Sequence, residues 1–85
     1  EIKVLKTLFE NGALSSAVVA PAPMAPDKWV ILIETQHGLH EHLTTAHSKD
    51  EKLFKRLPAA LEDVRRIGFQ QVTVSFPSED VPIRR

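Results

Sequence analysis

Cysteine and tyrosine are both absent from this chain of 85 residues, tryptophan and methionine occur once each, and glycine only three times. Each scarcity removes something. Without cysteine there is no disulfide to staple a small domain, and no thiolate for a structural zinc site, which in small domains usually draws on that ligand. Gly12, Gly38 and Gly68 stand too far apart to build a glycine-rich phosphate loop. The longest apolar run, Trp29 to Ile33, falls far short of the ~20 residues that cross a bilayer. Net charge is zero, so the basic excess usual in nucleic-acid-binding domains is missing. Serines 15, 16, 48, 75 and 78 sit in no recognised nucleophile setting such as GxSxG, and the expectation is that the protein is not an enzyme and carries no cofactor.

What remains is the composition of a small globular domain, 42% hydrophobic with 11 basic and 11 acidic residues. A chain of this length forms one domain and buries only about 60% of its unfolded surface, so oligomerisation is the natural supplement to its core. No basic start is followed by a hydrophobic run and a small-residue cleavage site, and the lack of cysteine also speaks for the cytoplasm. The reading is a single domain over 1–76 and a flexible tail over 77–85, where Pro77 and Pro82 bracket charged residues.

Along the chain, IKVLKTLF (2–9) mixes β-branched and aromatic residues and precedes Asn11-Gly12, which reads as a strand entering a tight hairpin with 14–20 returning. PAPMAP (21–26) places three prolines in six residues and predicts an extended connection through which no strand runs. KWVILIET (28–35) is apolar on both alternating sets, the pattern of a central strand covered on both faces. His37-Gly38 supplies a turn, 39–46 a returning strand, and KLFKR (52–56) one further short strand. In 58–67, Ala60, Leu61, Val64 and Ile67 share one helical face, Pro58 suits the first turn and Gly68 the C-terminal cap. FQQVTVSF (69–76) alternates, with Val72, Val74 and Phe76 expected inward. The sum is an α+β domain: a curved, mainly antiparallel sheet of five or six strands with one amphipathic helix packed on it.

Three of the four histidines fall within QHGLHEH (36–42), and His47 follows. Strand alternation puts His40 and His42 on one face as two potential metal ligands, but His37 in the turn and His47 at the strand's far end are badly placed for a third. The expectation is therefore no metal. An exposed polar strand face is the plain reading, and a pH-sensitive seam is the alternative, because imidazole titrates near ~6.5.

The segment FKRLPAALEDVRRIGFQQVTVSF (54–76) resembles the end of short accessory proteins encoded on bacterial plasmids and integrative elements, some associated with partition loci. An aromatic-basic strand, an Ala-rich amphipathic helix with an arginine pair, Ile-Gly-Phe and a final alternating strand carry the likeness over about a quarter of the chain. Pro58 stands where an acidic or polar cap is usual. The resemblance implies a bacterial, cytoplasmic, non-enzymatic protein working beside DNA-maintenance machinery, and it transfers no site residues.

Two functions compete on these observations. The leading one is a protein-interaction module that forms a homodimer through sheet surface at Trp29, Ile31 and Ile33, or through the first hairpin, and contacts another protein. The other is direct nucleic-acid binding by Lys52, Lys55, Arg56, Arg65 and Arg66.

Overall fold

A computed structural model of the chain describes residues 2–42 and 52–76. Ile2, Leu5, Leu8 and Phe9 recur at helical spacing, and the chain follows that period instead of a strand: α1 spans Ile2–Glu10. Leu5 is buried, with Ile2, Leu8 and Phe9 packed around it, while Lys3, Lys6 and Glu10 face outward. Asn11-Gly12 stops this helix instead of turning a hairpin. Gly12 has φ 76°, its amide donates to the Phe9 carbonyl at 3.0 Å, and the Ala13 amide donates to the Leu8 carbonyl at 2.9 Å. These are the paired bonds of a Schellman cap, which needs the same positive φ that a hairpin would have used.

The hairpin lies further on, inside the proline segment. β1 (Leu14–Ala22) and β2 (Ala25–Thr35) pair antiparallel from Leu14↔Thr35 to Ala22↔Ala25, leaving Pro23 and Met24 as a two-residue turn. Strands thus run into the prolines from both sides. Pro26 falls where the register shifts between Pro21↔Trp29 and Ala22↔Ala25, so it interrupts no regular ladder. A second shift, between Leu14 and Ser16, sets both Leu14 and Ala17 into the core although they differ in parity.

β2 is central, as its composition predicts, and the sheet order is β3-β2-β1-β4. β3 (His40–His42) is antiparallel to β2; the rest of the predicted 39–46 strand, 43–46, lies outside the described residues, as do His47 and the 77–85 tail. The predicted strand at 52–56 is a single bridge, with Phe54 and Trp29 exchanging backbone bonds of 2.8 Å. α2 (Leu57–Ile67) then crosses β2 and β1, with Pro58 in its first turn and Gly68 after its last. Of the predicted 69–76 strand only β4 (Thr73–Val74) pairs, and it runs parallel to β1. Val72 and Val74 pack on the core as expected, whereas Phe76 is 75% exposed.

The domain is α+β, but the expectation of five or six mainly antiparallel strands with one helix is corrected: the described residues form two helices on a four-stranded mixed sheet. The physical reason is coverage. Ala17, Val19, Ile31 and Ile33 form an apolar sheet face that α2 alone is too short to cover, and folding residues 2–10 as a helix supplies the second half of the lid. The helices meet where Phe9 stands edge-on to Phe69, ring centroids 4.8 Å apart.

Candidate functional site

Strand alternation sends the other set of β1 and β2 side chains to the face without helices. Cross-strand partners there are Ser16 with Glu34, Val18 with Leu32 and Ala20 with Val30. Val30 is buried, and Val18, Ala20 and Leu32 are half-buried. Because Phe54 turns into the core, Leu53 beside it turns to this same side, 47% exposed. A shallow apolar cavity of about 230 Å³ lies between Leu53 and Ala22, Pro23, Met24 and Ala25 at the hairpin tip, where Met24 is 94% exposed. Met24 and Leu53 thus expose apolar surface at the hairpin tip, and Val18, Ala20 and Leu32 are half-buried on the sheet face that α1 and α2 leave.

The residues expected to form an interface sit elsewhere. Ile31 and Ile33 are fully buried beneath the helices, and Trp29 is half-buried against the same core, bridged to Phe54. Ile31 and Ile33 hold the chain together and present no surface to a second copy, whereas Trp29 keeps part of its surface exposed. The feature that misled is the run WVILI, apolar on both faces, which does not say which face the helices take.

His37 is exposed in the turn after β2. Register places His40 opposite Glu34 and His42 opposite Leu32. No group of three or more histidine or carboxylate ligands converges among the described residues. The same register makes a row of Ser16, Glu34 and His40, with the Ser16 hydroxyl donating to Glu34 Oε1 at 3.2 Å.

The basic residues divide into groups. Lys52 donates to Asp63 Oδ2 at 3.1 Å and lies 5.0 Å from the centre of the Phe54 ring. Asp63 is 6% exposed and also faces Arg66 at 3.8 Å, so Lys52 and Arg66 neutralise a buried carboxylate. Arg65 donates through Nε and Nη2 to Glu62. Lys55 and Arg56 lie exposed before α2, about 14 Å along the helix from Arg65 and Arg66 at its 1.5 Å rise.

The chain matches no family model, no curated protein and no solved structure. Among the described residues no helix is long and apolar enough to cross a membrane. At the hairpin, the Lys28 ammonium 3.2 Å from Asp27 holds that carboxyl below its ordinary range, helped by a hydrogen bond from its own backbone.

Sequence reasoning missed two groups. Lys3 and Lys6 were hidden by reading residues 2–9 as a strand; as a helix, α1 brings both beside Arg65 and Arg66. Met24 and Leu53 were hidden by reading the prolines as a connection and 52–56 as a strand. The helical spacing of Ile2, Leu5, Leu8 and Phe9 was the signal that would have found the lysines.

Proposed function

We propose that the chain is a small, non-catalytic interaction module that pairs with a second copy of itself through the helix-free face of its sheet. The observation that carries this is the half-buried apolar pair Val18 with Leu32, with Ala20 beside it, on the face that α1 and α2 leave. A chain this short has few ways to bury a second sheet face, and stacking two such sheets about 10 Å apart is one that needs no additional element.

Size limits how the copies meet. Four strands at ~4.8 Å spacing and five residues at ~3.3 Å rise give a strip of only about 300 Å², against the roughly 800 Å² per partner of a standard interface. Met24 and Leu53 must extend the contact. The expected product is a concentration-dependent dimer whose strength holds or rises with salt, since apolar burial is strengthened by excluded salts.

A cytoplasmic role accessory to a plasmid or mobile-element process, through a further protein partner, is the part of this reading supported by the resemblance of 54–76. The dimer is tested by solution mass from light scattering over a range of concentration, at low and high salt. Leu32→Lys is the matching variant, because a lysine stem can lie along the half-buried position with its ammonium in water. A salt-tolerant dimer that Leu32→Lys converts to a folded monomer supports the reading. A wild-type monomer at every concentration, or a dimer indifferent to Leu32→Lys, overturns it.

A further inference from the structure

Charge in this chain is balanced overall, and among the described residues the basic side chains gather on one layer. The two helices and the segment 52–56 that leads into α2 carry seven basic side chains, Lys3, Lys6, Lys52, Lys55, Arg56, Arg65 and Arg66, against three acidic ones, Glu10, Glu62 and Asp63. The hairpin side carries Asp27, Lys28 and Glu34. Among the described residues the helical layer is therefore positive.

That layer has a channel. A groove of about 530 Å³ runs between α1 and α2, lined by Ile2, Lys3, Lys6, Glu62, Arg65 and Arg66. Four cations and one carboxylate line the groove; Arg65 pairs with Glu62 at 3.2 Å and Arg66 faces Asp63 at 3.8 Å, so the cations outnumber the carboxylates they meet. The side chains of Arg65 and Arg66 are 77% and 64% exposed, so both reach an incoming ligand without unfolding anything.

We infer that this channel binds the phosphate backbone of duplex DNA without reading its sequence. The inference does not rest on the sheet-face dimer and stands or falls separately. A single phosphate ion gains little from cations this well hydrated, because screened surface pairs contribute little each. A polyanion gains from several at once, by releasing the counterions condensed along it. Lys55 and Arg56 lie exposed before α2, outside the groove's lining.

Other polyanionic surfaces fit less well. A membrane would need bulky apolar groups beside the cations, and the exposed apolar positions of the two helices are only Val4, Pro58 and Ala59. A single strand would need stacking rings, but Phe9 is half-buried and Phe69 buried. Sequence readout would need amide side chains or free guanidinium forks, whereas α1 and α2 contain no Asn or Gln and Arg65 is engaged by Glu62.

The test is fluorescence anisotropy of the whole chain with two unrelated duplexes of about 20 base pairs, between about 50 and 200 mM salt, with polyglutamate as a competing polyanion. About four phosphate contacts predict a log–log salt slope near −3.6, or roughly a 150-fold loss of affinity over that range, alike for both sequences. Lys6→Gln is expected to reduce the slope's magnitude by about 0.9, and Lys28→Gln, an equal charge change on the hairpin, to leave it unchanged. No binding at ~50 mM salt, equal effects of the two variants, or displacement by polyglutamate as effective as by unlabelled DNA would each overturn the inference.

Discussion

Gly68 lies directly against the ring of Phe9: a Cβ built on it would stand 2.6 Å from Cδ2 of that ring. This contact, at the point where α1 passes the end of α2, sets how closely the two helices approach and so the width of the channel between them. Gly68 also has φ 132°, a conformation that side chains resist. Gly68→Ala is expected to cost about 2–4 kcal/mol, from overpacking and backbone strain together. Gly12→Ala, where φ is 76° but the space is open, should cost about 1 kcal/mol. Urea denaturation of the two variants compares them directly; equal losses would show that the Phe9 contact is soft.

Ile31 and Leu32 are neighbours in β2 on opposite faces of the sheet. Ile31 is fully buried and Leu32 half-buried. Ile31→Ala is expected to cost about 2–5 kcal/mol in chain stability, and Leu32→Ala clearly less. Trp29→Asp should unfold the protein, because it puts an unpaired carboxylate against the core. Circular dichroism melting settles each, and a well-folded Trp29→Asp would mean that Trp29 is dispensable to the core.

Lys52 ties the segment that leads into α2 to the helix itself through Asp63, at 3.1 Å. Removing its charge with Lys52→Met leaves Arg66 at 3.8 Å as the remaining partner of a buried carboxylate. With Lys52 itself 39% exposed, solvent screening reduces the loss to about 1–2 kcal/mol. Adding Asp63→Asn to Lys52→Met should restore part of that stability, since no buried charge then remains. A double-mutant cycle in urea with no coupling between the two sites would show the ion pair to be idle.

Asp27 has its carboxyl lowered by the hydrogen bond from Lys28. A depressed folded value means that any stabilisation is present above the unfolded value, near ~3.9, and is lost as pH falls through the folded one. A carbon-detected NMR titration is expected to place the Asp27 midpoint below ~3.9, and Lys28→Gln to raise it. An unchanged midpoint in that variant would assign the shift to the backbone hydrogen bond instead.

How much of this was legible in the chain differs from element to element. α2 is legible because its signals are local: Pro58 in the first turn, Gly68 after the last, and a helical apolar period between. β2 is legible because WVILI is short, β-branched and apolar on both alternating sets. α1 is not, because Ile2, Val4 and Phe9 carry strand propensity and Asn11-Gly12 serves a helix stop as readily as a hairpin. The hairpin was hidden by its prolines, which fall at the turn and at a register shift where no ladder amide is missed. The basic channel was half legible: Arg65 and Arg66 stand together in the sequence, while Lys3 and Lys6 are about sixty residues away.

The sequence by itself determined what depends on neighbours along the chain: an α+β composition, one capped amphipathic helix, a central apolar strand, and the lack of disulfide or thiolate chemistry. Tertiary structure decided which face of that strand the helices cover. Both faces of WVILI are apolar, so burial favours either one, and only the combined reach of α1 and α2 selects Ile31 and Ile33 over Val30 and Leu32. It also decided which cations meet, because bringing Lys6 beside Arg65 requires α1 to pack on α2, and no local propensity encodes that contact.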